Sequence, residues 1–123
     1  MKSPGRNQRL GGWGERVASQ YLELKGYQVL ARNYRTPFGE IDIILQKDET
    51  IVFVEVKTRS SLGFGFPEEA VTPTKRLHLL EAIQSYWQSG NQIESIWRID
   101  VVAVIGRPGG QEPQIEHFEN AVV

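Results

Sequence analysis

The sequence predicts an α/β domain with a mixed central sheet flanked by helices, and three observations carry that class. Ile51-Val52-Phe53-Val54-Glu55-Val56-Lys57 has high β-propensity and begins apolar on both alternating faces, as a strand buried on both sides does. Two segments, 10–25 and 73–88, carry apolar residues at helical spacing. The second of them separates the central strand from another apolar one at 97–105, which is the arrangement of a parallel crossover.

Taken in order, residues 1–10 read as a basic tail and residues 11–123 as a single domain, a length sufficient for one core. The helix over 10–25 places Trp13, Val17, Tyr21 and Leu24 on one stripe, and Gly26 supplies its stop. A strand over 27–34 leads through the turn Thr36-Pro37-Phe38-Gly39 into a second over 40–45. Gln46-Lys47-Asp48-Glu49-Thr50 joins that strand to the central one as a hairpin. Residues 58–73 lack a period and read as a loop; Gly63-Phe64-Gly65-Phe66-Pro67 marks a turn rather than a phosphate cradle, because no Lys-Ser/Thr pair follows it. Thr72 and Pro73 cap and open the second helix, whose apolar side is Leu77, Leu80, Ala82, Ile83 and Trp87. Residues 97–105 form a buried strand, 106–113 a loop and 114–118 a short edge strand.

Composition narrows the chemistry. With no cysteine the chain offers no disulfide framework and no thiolate ligand, which disfavours zinc. Neither a signal-peptide core nor a membrane-length apolar stretch is present, so a cytoplasmic protein is expected. The net charge of −1 hides an asymmetry: residues 1–36 carry seven Lys or Arg against two Glu, and the rest of the chain is acidic. Arg9, Arg16 and Arg35 in that basic part, with Arg59, Lys75 and Arg76 beyond it, are the candidate nucleic-acid contacts. Lys75 and Arg76 sit at the helix end where the dipole disfavours cations, which suggests a ligand role over a structural one. An ordinary solvated tail and helix face is the competing explanation for the N-terminal bases, and exposed ion-pairing for Arg35 and Arg59.

The candidate site follows from strand parity. A period of two puts Ile51, Phe53, Glu55 and Lys57 on one face. A symmetric hairpin centred on Asp48-Glu49 pairs residues whose numbers sum to 97, so Asp42 stands opposite Glu55. Facing carboxylates repel unless something neutralises them, and a divalent cation does so. A solvated hairpin with cross-strand ion pairs explains the same residue types, but Ile41, Ile43, Leu45, Val52, Val54 and Val56 leave little room for one. Glu15 either leans over the sheet as a third carboxylate or stays exposed near the helix start. Glu40 shares the parity of Asp42, yet reads more simply as a solvent-facing strand start. Asp100 reads as a structural partner for Arg98, and His78 and His117 as isolated.

Gly14-Glu15, Asn33-Tyr34-Arg35, Gly39-Glu40-Ile41-Asp42, Val54-Glu55-Val56-Lys57-Thr58-Arg59 and Arg98-Ile99-Asp100-Val101-Val102 together resemble the YraN-like family of uncharacterised bacterial proteins. The resemblance spans roughly residues 11–105. That family is similar to archaeal Holliday-junction resolvases and to the restriction-endonuclease-like superfamily with its PD-(D/E)XK motif. The resemblance implies a core of helix, three strands, helix and strand. It matches Asp42, Glu55 and Lys57 to the motif's two acids and lysine, and Glu15 to the helix glutamate of resolvase-like members; Ile41 stands where the named motif has proline.

The function so implied is a Mg²⁺-dependent, structure-selective endonuclease acting on DNA in recombination or repair. Asp42, Glu55, the Val56 carbonyl and Glu15 would hold the ion, with Mn²⁺ as a substitute. Lys57 would either help deprotonate the attacking water or stay charged and clamp the phosphate. The expected partners are branched or other non-B-form DNA, a second copy in a homodimer, and repair or recombination proteins. The alternative from another class is a noncatalytic nucleic-acid-binding or protein-interaction module.

Overall fold

The fold is that of a computed structural model, which describes residues 6–60, 72–90 and 93–121. Among the described residues seven elements follow one another: α1 (Arg6–Leu24), β1 (Gln28–Thr36), β2 (Gly39–Lys47), β3 (Thr50–Arg59), α2 (Pro73–Gln88), β4 (Trp97–Ile105) and β5 (Gln114–Phe118). The strands form one mixed sheet in the order β1-β2-β3-β4-β5, in which only β3 and β4 run parallel, joined across α2. The expected α/β class and mixed sheet are therefore present. Helix α1 begins at Arg6, so it takes up part of the segment read as a tail. The glycine-containing turn at 63–67 lies outside the described residues.

Each helix covers one face of the sheet. Ala18 and Leu22 of α1 pack with Ile43, Leu45, Val52, Val54, Val102 and Val104. On the other face, Leu79, Ala82, Ile83, Tyr86 and Trp87 of α2 pack with Ile44, Ile51, Phe53, Ile99 and Val101. Burial on both sides explains why β3 and β4 are nearly continuous apolar runs. Each expected stripe meets the core except at one residue: Trp13, Val17 and Tyr21 pack against the α1-side core and Leu80, Ala82, Ile83 and Trp87 lie on the α2 side, whereas Leu24 is 90% exposed and Leu77 57% exposed. Ala18 and Leu22 complete the buried side of α1, and Leu79 and Tyr86 that of α2. A single leucine on the solvent side costs little, so apolar spacing alone misplaced that one residue of each stripe.

The helix ends obey local chemistry. Gly26 takes φ 96°, its N–H bonds the Glu23 carbonyl and the Tyr27 N–H bonds the Leu22 carbonyl, a Schellman closure in which Tyr27 and Leu22 also share the core. Thr72 accepts from the Lys75 N–H at 3.2 Å, with Pro73 in the first turn.

The β2–β3 hairpin has the expected register, running from Lys47↔Thr50 to Ile43↔Val54. Beyond that point the alternation breaks. Ile43 belongs to the α1-side core and Ile41, two residues earlier, to the α2-side core. Asp42 occupies the break between them.

Candidate metal centre

Asp42 does not stand opposite Glu55 as one rung of the ladder. Its Oδ2 accepts the Val56 N–H at 2.8 Å, so the carboxylate reaches across the opening between β2 and β3. There its acceptor atoms come within 4.8 Å of those of Glu15 from α1 and Glu40 from the start of β2. Burial, then the nearby Glu55 charge, push the Asp42 carboxyl up to about 8 against the lowering effect of the Val56 N–H; Glu15 and Glu40 add to the rise. Glu15 is raised too, first by burial and next by Glu40, while a hydrogen bond from the Asn33 side chain opposes the rise. Asn33 holds φ 53°, a left-handed conformation uncommon outside glycine, at the place where β1 supports this glutamate.

Two cations stand beside the acids. Lys57 is buried, with its Nζ 3.1 Å from Glu55 Oε1. Desolvation works to lower its pKa, but a hydrogen bond shared with Lys75 and the charges of Glu55 and Asp42 outweigh it, so Lys57 is held protonated. Lys75 is driven the other way, by its hydrogen bond with Lys57, by desolvation and by Lys57's charge. A cavity of about 150 Å³ opens here, lined by Phe38, Gly39, Glu40, Glu55, Lys75, His78 and Leu79.

The sequence-derived residues thus separate into groups. Asp42 and Glu15 come together with Glu40, the acid read as a solvent-facing strand start. Glu55 is near enough to repel Asp42, but its own partner is Lys57. Lys75 reaches the cavity, and Arg59 is close enough to Lys75 to repel it. Arg35 is exposed and 3.7 Å from Glu40. Arg16 and Arg76 are exposed on α1 and α2, and the Arg9 side chain lies outside the described residues. Neither histidine is isolated: His78 lines the cavity, and His117 bonds Asp100 at 2.6 Å.

The donor set suits a hard cation. Three carboxylates from three sequence positions converge with no nitrogen or sulfur ligand among them, matching Mg²⁺ or Mn²⁺ better than softer metals. A half-buried acid whose ionised form is disfavoured first by burial and then by neighbouring acids is one whose charge a bound cation would stabilise.

A family model matches residues 14–104, the stretch running from the glycine before Glu15 to the penultimate residue of β4. The chain belongs to the uncharacterised protein family UPF0102. Its relatives include a UPF0102 protein of Syntrophomonas wolfei, 47% identical over 94% of this chain and 98% of that one. Another, from Alkaliphilus oremlandii, is 46% identical over 94% of this chain and 98% of that one. Among solved structures, Pyrococcus furiosus SfsA in complex with Ca²⁺ is similar at 15% identity and a TM-score of 0.41, over 90% of this chain and 63% of that one. Among the described residues of this UPF0102 member, no helix is long and apolar enough to cross a membrane.

Proposed function

We propose that this UPF0102 protein is a Mg²⁺- or Mn²⁺-dependent endonuclease that hydrolyses phosphodiester bonds in branched or otherwise non-B-form DNA, in recombination or repair. The observation that carries the reading is Asp42: a carboxylate pushed up to about 8, tied to the Val56 N–H and gathered with Glu15 and Glu40 beside a buried lysine. Asp42, Glu15 and Glu40 would hold the ion, with Glu55 and the Val56 carbonyl as nearby oxygen donors. A divalent ion there would neutralise charge on the phosphate and acidify water.

The protein's own part is electrostatic positioning. Lys57, held protonated, binds a non-bridging phosphate oxygen instead of removing a proton from water. Of the two roles open to this lysine, clamping is the one its surroundings support. Lys75 stands at the mouth of the same cavity to meet the phosphate, with Arg59 near it and Arg76 following in the helix. A cut placed symmetrically on a branched junction needs two such sites, which is the reason to expect a homodimer.

The test is cleavage of a panel of labelled junctions, flaps, single strands and duplexes in Mg²⁺ or Mn²⁺, with Asp42→Ala and Lys57→Ala proteins alongside. Metal-dependent cleavage by the parent and its loss in both variants would establish the nuclease. Binding without cleavage across the panel would favour a noncatalytic module.

A further inference from the structure

Helix α1 meets the sheet through residues of graded size. Gly14, Ala18 and Leu22 lie four apart on its buried side, so the smallest is at the end nearest the acids. Gly14 is pressed against Thr58 near the end of β3. A Cβ at position 14 would meet the Thr58 Oγ1 at 2.0 Å and both its Cβ and Cγ2 at 3.0 Å. Turning the threonine about χ1 moves Oγ1 and Cγ2 but leaves its Cβ in place. An added methyl therefore has to push the helix off the strand, toward the ~3.5–4 Å that carbon atoms ordinarily keep.

Glu15 is the next residue, and its carboxylate joins Glu40 and Asp42 from across that interface. We infer that Gly14 is a positioning residue for the cation site: its missing side chain lets α1 approach Thr58 closely enough for Glu15 to reach Asp42 and Glu40. The inference rests on the reading of that trio as a cation site. Oxygen ligands of Mg²⁺ sit within narrow distance limits, so a retreat of even part of an ångström withdraws Glu15 from the set.

Titration calorimetry with Mn²⁺ alone, on the full chain, tests this. Parent, Glu15→Gln, Gly14→Ala, Gly14→Ala/Glu15→Gln and Gly14→Ala/Thr58→Gly proteins are compared, with thermal melts recorded for each. Gly14→Ala is expected to weaken Mn²⁺ binding about as much as Glu15→Gln does, roughly tenfold or more. Combining the two adds little, and Thr58→Gly restores binding in the Gly14→Ala protein by clearing the methyl. Thr58→Val puts a bulkier methyl where the hydroxyl faces position 14 and keeps strand propensity, so it weakens Mn²⁺ binding while the protein still melts cooperatively. That variant decides the matter if Gly14→Ala fails to fold. A Gly14→Ala or Thr58→Val protein that binds Mn²⁺ like the parent overturns the inference and leaves the cation site standing. A parent that binds no Mn²⁺ removes the cation site itself, and the inference with it.

Discussion

Two aspartates sit in apolar strands of this sheet, and their surroundings treat them in opposite ways. Asp100 of β4 is fully buried, yet its oxygens take hydrogen bonds from Arg98 Nε at 2.9 Å, from the Asn120 N–H at 2.9 Å and from His117 Nε2 at 2.6 Å. Burial alone would raise its pKa, but the bonds from His117, Arg98 and Asn120 overcome that and hold it below the usual carboxylate value. Asp42 receives one backbone N–H and faces acids. The contrast separates a carboxylate whose ionised form completes the fold from one whose ionised form lacks partners, and a carboxylate of the second kind in a cleft is a candidate functional group.

The largest effect that would sharpen this contrast is on cleavage. Asp42→Ala should lower metal-dependent cleavage at least roughly a hundredfold while the circular-dichroism spectrum is unchanged, whereas Asp100→Ala should act through stability. Asp100→Ala strands Arg98 and His117, and chemical denaturation should show a loss of roughly 3–5 kcal/mol. Asp42→Asn should do the reverse in metal-free buffer near pH 8, raising stability by an amount on the order of 1–2 kcal/mol as the cost of burying its charge, and then the repulsion with Glu55, disappears. If both substitutions destabilise alike, the contrast fails.

The pH dependence should also differ in sign. The Asp42 pKa is raised on folding, so below about 4 the proton is bound in both states and nothing is lost; between about 4 and about 8 only the folded state keeps it, and stability falls across that window and levels off above it. The Asp100 pKa is lowered, so its contribution is present above the unfolded value of 3.8 and fades as pH drops through the folded value. Melts of the parent and of Asp42→Asn between pH 5 and 8.5 should therefore converge at the acid end, with Mg²⁺ narrowing the gap at the alkaline end. The smallest expected effect is at Lys75: Lys75→Ala should reduce the slope of DNA affinity against salt by about one ion, measured by fluorescence anisotropy.

Much of this was legible beforehand, for reasons that differ by element. The hairpin register followed from a short polar turn between two apolar runs, since a slip of one residue would have turned both strands inside out. The pairing of Asp100 with Arg98 was readable because the two lie two residues apart on one strand face. His117 was not, because its approach depends on how β5 returns beside β4 after a loop whose path no periodicity encodes. Glu40 had the right parity, but exposure at a strand start hid its convergence with Asp42 and Glu15. The break in alternation at Asp42 arises from where β2 and β3 part, a property of paired strands that a single strand's pattern does not contain.

The Asp100 network also binds the order of synthesis to the order of folding. Its members come from residues 27, 98, 100, 117, 119 and 120, and the Ala121 N–H closes on the Ile99 carbonyl just beside it. A nascent chain that has emerged only as far as β4 holds the aspartate with Arg98 but lacks His117 and Asn120. Burying Asp100 before residues 117–120 join the sheet would leave its charge only partly met, so β4 cannot settle until β5 pairs beside it.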